Sequence, residues 1–288
     1  MQPDHLINLA ISLLTSVALL VIISVGLAVI FGMMGVINLA HGEFLMLGAF
    51  FTLSAQRAGL NIWLAMLVAA GGVGVVGLVV ERLLIRFLYG RLAATMLATW
   101  GLSLILVQAV VLIYGPATQG IPTPLGNFKM GRYSVSEYNL VLIAAAVALL
   151  ALVYWVFTRT RYGTMARAAT QLPHMASSIG INARQVNMLT FAFGAALAGA
   201  GGALLAPLVG VVPSMGQAYV SRAFMTVVVG GPGVLTGTAS AAGLLGSVDS
   251  ITSNLTTSFL GTAALLVVAI VLLRVLPTGI SGRVGRQL

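Results

Sequence analysis

Residues 6–50 read LINLAISLLTSVALLVIISVGLAVIF followed directly by GMMGVINLAHGEFLMLGAF, an apolar run that ends in a segment holding an asparagine, a histidine and a glutamate. The first part, 6–31, exceeds the roughly 20 residues that an α-helix needs to cross the hydrocarbon core of a bilayer. Asn38, His41 and Glu43 come next, before another apolar stretch. An ionisable group at bilayer depth costs roughly 2.5–3.5 kcal/mol, so it is kept where it faces a partner, a cavity or a pathway. Gly32, Gly35, Gly42 and Gly48 surround these groups and allow backbone breaks and close helix approach.

The rest of the chain has the same character. It is 59% hydrophobic and 7% charged, against about 25% charged residues in soluble domains, which makes it an integral membrane protein. Apolar stretches run at about 6–31, 60–81, 93–114, 138–158, 186–209 and 258–276, with shorter ones at 44–57, 218–230 and 234–254. They are continuous and rich in Leu, Ala, Val and Gly, whereas barrel strands alternate polar and apolar over segments of about 10 residues. The expectation is an all-α, polytopic helical bundle with eight or nine membrane segments, some broken or re-entrant. Residues 1–5, MQPDH, carry no lysine or arginine, and the run after them is too long for a signal-peptide core, so it reads as a retained first span.

The net charge of +9 does not indicate nucleic acid. The arginines gather in short loops at 82–91, 159–184 and 274–286, as a cytoplasmic bias places them, with no basic face or RNA-binding aromatic motif. There are no cysteines, which excludes disulfides and thiolate chemistry. His5, His41 and His174 are too far apart in sequence to suggest a local metal site. Arg82, Arg86 and Arg91 mark one inner loop, Arg159, Arg161, Arg167 and Arg184 another, and Arg283 and Arg286 put the C-terminus inside. Counting back through three segments places the N-terminus outside.

By the same count, 115–139 is an outer connector or a docking surface for an extracytoplasmic partner. It holds Pro116, Pro122 and Pro124, and Gly131 is placed to turn a small hairpin. An internal echo pairs VIFGMMGVI at 29–37 with VVVGGPGVL at 227–235, with Gly48 opposite Gly246. Paired halves with broken helices at their interface are common in transporters, although 34 glycines also produce such echoes by chance. Gly71, Gly72, Gly74, Gly77 and the run GAALAGAGGALLAP at 194–207 put small residues at helix-contact spacing.

The longest polar interruption is RTRYGTMARAATQLPHMASSIGINARQVN at 159–187. Thr164 reads as a helix start, Pro173 restrains continuation, and a second short helix over 175–179 would stop at Gly180. A basic, turn-rich loop of this kind serves topology and lipid headgroups, or sits in a groove of another protein.

Four segments in order, GVINLAHGEFLMLGAF, ERLLIRFLYGRL, RTRYGTMARAATQLPHMASSIGI and the terminal VLPTGISGR, resemble the permease subunits of ABC importers for branched-chain amino acids and urea. LATWGLSLILVQ at 97–108 and GQAYVSRAFMTVVVGGPG at 216–233 look closer to the urea and amide side. Those permeases often carry a longer extracytoplasmic region, which this chain lacks. The resemblance implies one transmembrane permease domain over 1–288, similar to type II ABC importers, in the inner membrane. It also implies a second related permease, two cytoplasmic ATPases and an extracytoplasmic binding protein, with alternating access driven by ATP. Under the resemblance, the outer loop is 115–137 and 159–184 is a coupling loop in which Thr164, Arg167, Met175 and Gly180 meet an ATPase groove. The resemblance implies no cofactor and no catalysis by this chain, with ATP hydrolysis on the separate ATPases. Independently, the only lysine, Lys129, precedes Met130, so it is not the lysine of a P-loop, which must precede Ser or Thr.

For the translocation pathway the residues indicate Asn38, His41 and Glu43, with Thr99, Ser103 and Gln108 opposite. On a helix over 97–108, Thr99 and Ser103 share a face, with Gln108 beside it. Such groups offer hydrogen bonds to an amino-acid zwitterion or a urea. Alternatively His41 and Glu43 pair to brace a turn, since buried charges persist when paired. Two other functions remain open on residues alone. One is an ion-coupled secondary transporter using Glu43 or Asp249; the other is an intramembrane enzyme with Glu43 and His41 as acid and base, which lacks a third orienting group.

Overall fold

The computed structural model describes residues 3–130 and 133–283. Helix α1 (Pro3–Met34) is followed by a break and α2 (His41–Arg57), then α3 (Ile62–Leu83), a 3-10 turn at Ile85–Phe87, and α4 (Leu92–Tyr114). Strands β1 (Asn127–Met130) and β2 (Tyr133–Ser136) lead into α5 (Glu137–Arg159), α6 (Arg161–Gln171), α7 (Pro173–Ser178) and α8 (Ala183–Leu205). The chain continues through α9 (Met215–Gly230), α10 (Val234–Leu255), α11 (Ser258–Val275) and α12 (Ile280–Arg283).

Helix starts are fixed by polar caps at the ends of the apolar runs. Asn61 accepts from the Trp63 N–H at 3.0 Å, Ser136 from Tyr138 at 3.3 Å, Asn182 from Gln185 at 3.2 Å and Thr257 from Leu260 at 3.4 Å. Each satisfies an amide that the helix leaves without a partner, worth about 1 kcal/mol. The strands pair antiparallel in the register Asn127↔Ser136 to Met130↔Tyr133, an addition to the all-helical plan. Gly131, the expected turn residue, lies outside the described residues, as do the N-terminal Met1 and Arg286.

Contacts between ends give the direction of each helix. Thr170 on α6 donates to the Met33 carbonyl at 2.7 Å, so α1 ends on the arginine-rich side. At the other end Tyr138 donates to the Leu204 carbonyl at 2.8 Å, joining the start of α5 to the end of α8. Arg57 donates to Gln119 at 2.5 Å, which places the end of α2 beside the 115–126 loop. Gln119 and Val211 exchange backbone hydrogen bonds of 2.9 and 2.8 Å, bringing the 206–214 connector to the same end.

Helix α2 therefore does not make a complete crossing. Its first residue, His41, bonds to Ile23 in the interior of α1, and its last lies at the end of the bundle away from the arginine-rich loops, beside Gln119. The stretch 35–40 climbs back into the bundle after a reversal at Gly35, where φ is 63°, a value that glycine adopts without strain. Among the described residues six helices are long and apolar enough to span a membrane, or seven if α9 and α10, bent by 117°, form one broken span. This is fewer than the eight or nine expected. With 17 residues α2 falls short of a crossing, as does α9 with 16. The 29–37 and 227–235 segments of the internal echo each run across a helix end into a break, after α1 and between α9 and α10, and they pack together through Gly32 at the end of α1 and Val234 at the start of α10.

Both α1 and α8 form the centre: α1 packs on α5, α8, α9 and α10, and α8 on α1, α2 and α3. Close approach depends on glycine. A Cβ at Gly202 on α8 would fall within the Leu45 backbone of α2, and one at Gly48 within the backbone of Gly199. Phe44 then meets Phe191 edge to face at 5.9 Å. Gly202→Val should displace α2, cost at least the 1–3 kcal/mol typical of overpacking, and lower the detergent-solubilised melting temperature by several degrees. Gly243→Ala, where a Cβ meets nothing within 4 Å, should leave it unchanged or raise it slightly.

Candidate functional site

The start of α2 is built from side chains that have few partners. Asn38 Oδ1 accepts the Ala40 N–H at 3.1 Å, which shapes the turn into the helix. The Leu39 N–H donates to Thr99 Oγ1 at 3.1 Å, and Thr99 donates to the Thr95 carbonyl at 2.9 Å, so α4 is pinned to the break. His41 Nε2 donates to the Ile23 carbonyl at 2.9 Å. Ser103 donates to Glu43 Oε1 at 2.7 Å. Asn38 Nδ2, His41 Nδ1 and Glu43 Oε2 are buried without a hydrogen-bond partner. Such groups are uncommon in native interiors and each costs about 1–3 kcal/mol.

Glu43 is 2% exposed, and no lysine or arginine is within ion-pair reach of it among the described residues. Helix geometry supplies part of the missing compensation. Glu43 lies in the first turn of α2, and its Oε2 packs against Gly216, in the first turn of α9. Gly42 and Gly216 stack backbone to backbone. Two helix N-termini thus meet at one carboxyl group, each presenting the positive end of its dipole. Glycine at both positions permits the approach; a Cβ at Gly216 would collide with Glu43 Oε2.

A cleft of about 650 Å³ opens beside this junction, lined by Leu39, Glu43, Trp100 and Ser103 from one side and by Gln217 and Ser221 of α9 from the other. Asn38 and His41 lie behind this wall, fully buried. Gln108 is exposed and lines no part of the cleft. It comes five residues after Ser103, about 140° around the helix. The bracing pair of His41 and Glu43 does not form, because residues two apart on a helix do not face each other; each bonds to a different helix. Gln217 and Ser221 do not stand out in the sequence, although their spacing of four places them on one face of a helix. Asp249 on α10 belongs to a different place, near Arg222 of α9, whose guanidinium donates to Thr262 of α11.

The second candidate region is the α6–α7 hairpin. Thr160 caps α6 by accepting the Gly163 N–H at 3.1 Å, so the helix starts at Arg161, one turn before Thr164. Tyr162 is held against Thr190 of α8 at 2.6 Å, and burial pushes its phenol up to about 12, so it stays protonated at neutral pH. With the bond from Thr170 to Met33, α6 is tied both to α8 and to the end of α1. Pro173 opens α7, Ile179 closes it, and Gly180 with φ 86° reverses the chain. Leu172, Met175 and Ile179 are 62, 67 and 77% exposed, an apolar patch at the tip. Thr164 and Arg167 instead line an inner cavity.

Residues 9–276 match the family model described as branched-chain amino acid transport system / permease component. The chain is 33% identical over 285 residues to the high-affinity branched-chain amino acid transport system permease protein LivH of Escherichia coli, covering 91% of each. It is 30% identical to the corresponding permease protein BraD of Pseudomonas aeruginosa, covering 97% of this chain and 96% of that one. It is also 25% identical to the permease protein LivM of Escherichia coli, over 77% of this chain and 59% of that protein. No solved structure matches the chain with significance. Its sequence over nearly its whole length, and its polytopic helical fold, place the chain in the branched-chain amino acid transport system permease component family.

Proposed function

We propose that this permease component, as a subunit of an ATP-driven importer, carries branched-chain amino acids towards the arginine-rich face of the membrane. The observation that carries the reading is Glu43 Oε2, a carboxylate oxygen without a protein donor, on the wall of a cleft between two half-helices. An ammonium group supplies the cation that the site lacks. Ser103, Gln217 and Ser221 offer polar contacts, and Phe224 and Met225 give the side chain an apolar wall. The names of the relatives favour branched-chain amino acids over urea, and urea has no ammonium to pair with Glu43.

Four partners complete the proposal. The similarity to LivM, itself a permease protein, supports a second, related permease beside this one. Two ATPases would take the exposed Leu172, Met175 and Ile179 patch, with Gly180 setting the angle of the tip. Thr164 and Arg167 then act from the inner face of α6 and not at the tip. Hydrolysis belongs to those subunits. An extracytoplasmic binding protein would dock on the outer loop at 115–137. In this arrangement the whole chain is one permease domain with its N-terminus outside. Movement of α6 reaches Glu43 through Thr170, Met33 and the 35–40 break, and ATP biases the two access states through its differential effect on that linkage.

In proteoliposomes containing the complete complex, Glu43→Gln should lower radiolabelled leucine uptake at least tenfold while the subunits still co-purify; normal uptake would remove Glu43 from the pathway. Met175→Glu should weaken ATPase co-purification or substrate-stimulated hydrolysis severalfold, and wild-type coupling would exclude the tip as the contact. Because the chain has no cysteine, single cysteines report topology cleanly. Gly120→Cys should react with an impermeant maleimide from outside and Met175→Cys only after permeabilisation, and the reverse pattern would invert the orientation.

A further inference from the structure

Under the coupling hairpin lies a second cavity, of about 1120 Å³, larger than the cleft at Glu43. It is a half-open cavity bounded by the arginine-side ends of α1, α5 and α6 and by the α9–α10 break. Its walls divide by chemistry. Val153 and Phe157 of α5 and Val234 and Leu235 of α10 make an apolar side. Thr158, Thr164, Gln171 and Arg167 make a polar side with one cationic group. The chain has five acidic residues, and none lines this cavity. Arg167 is half-exposed and lines this space, where the protein supplies no anion.

From this division we infer that the cavity binds a small anionic amphiphile, with an anionic oxygen head at Arg167 and the neighbouring threonine hydroxyls, and a hydrocarbon body over Phe157 and Leu235. A guanidinium suits such a head because it presents several donors in a fixed fork. The volume of about 1120 Å³ slightly exceeds the about 300–1,000 Å³ typical of small-ligand sites, which leaves room for a hydrocarbon body. Two sources offer an anionic oxygen head on a hydrocarbon body at this face: an anionic phospholipid, and the carboxylate end of a free branched-chain amino acid, whose ammonium would stay at the open side of the cavity because no carboxylate lines it. Position gives the site a consequence. Helix α6 touches the core at Thr170–Met33 and Tyr162–Thr190, and the cavity separates it from Pro232, Val234 and Leu235. An occupant fills that gap and joins the coupling hairpin to the break before α10. The inference is independent of the cleft at Glu43, except that the amino-acid source rests on the proposed substrate.

The test uses the assembled complex in nanodiscs and two probes. For the lipid, native mass spectrometry reads the phosphatidylglycerol retained after stepwise delipidation, with phosphatidylcholine as reference. For the amino acid, tritiated leucine binding is read on the permease–ATPase complex without its binding protein, in phosphatidylcholine discs and on a Glu43→Gln background, so that neither the binding protein nor the Glu43 cleft reports. The expected result is retention of one of the probes by the wild-type cavity. Arg167→Gln and the cavity-filling Leu235→Trp should each reduce it at least tenfold, Arg167→Lys should keep part of it, and Arg91→Gln should not change it. Phosphatidylglycerol retention with this pattern identifies a lipid, leucine binding with this pattern identifies an amino acid, and competition between them identifies one shared site. Should Leu235→Trp fail to assemble, Thr164→Val together with Arg167→Gln decides the question. Retention of neither probe, or retention indifferent to Arg167→Gln, overturns the inference.

Discussion

An acidic side chain with no basic partner has to be accommodated in the middle of a bilayer-spanning bundle, and the packing of the surrounding helices follows from that requirement. Full ion pairing is not used at Glu43. Two short helices instead point their N-termini at the same carboxyl group, α2 running away from the arginine-rich end of the bundle and α9 towards it. The dipole of a helix end is worth about 0.3–1 kcal/mol in ordinary settings and up to about 2 when partly buried. Two such ends and one serine hydroxyl offset only part of the desolvation cost. The remainder is what a cationic ligand would meet, and a site fully satisfied by its own protein would have less reason to bind one.

The same geometry accounts for the glycines. Half-helices that meet end to side need backbones in contact, and Gly42 with Gly216 provides this at the carboxyl group while Gly48, Gly199 and Gly202 provide it along α2 and α8. Bulk is concentrated just beyond, at Phe44, Phe191 and Phe50. With little hydrophobic drive between helices inside a bilayer, close van der Waals packing carries much of the association energy. The large number of glycines is therefore a packing device, and the positive-φ breaks at Gly35 and Gly231 are a small subset with a separate backbone role.

Much of the architecture was legible because apolar length is a direct physical signal. The runs beginning at 93, 138 and 258 correspond within one residue to α4, α5 and α11. Depth was not legible. A 17-residue apolar helix has the composition of a short span whether it begins at the surface or at mid-membrane, and only the His41–Ile23 bond separates the cases. At the site, Asn38, His41, Glu43, Thr99 and Ser103 stood out as polar groups in apolar surroundings. Gln108 stood out for the same reason and yet points elsewhere, because polarity carries no azimuth. Gln217 and Ser221 were hidden by the opposite effect, in a stretch polar enough to look ordinary. The start of α6 was misplaced by one turn because Thr160 and Thr164 are equally good caps in sequence, and the choice depends on Gly163 fitting against the end of α5.

The outer loop has a mechanical position that its composition does not suggest. Through one residue, Gln119, it is bonded to the last residue of α2 by a side chain and to the connector before α9 by two backbone bonds. A load applied to that loop is divided between α2 and the connector that leads into α9, while α6 is bonded to the opposite end of the same assembly through Met33. The carboxyl group of Glu43 thus sits between two sets of bonds that reach it from opposite ends of the bundle, like the pivot of a balance with an arm on each side.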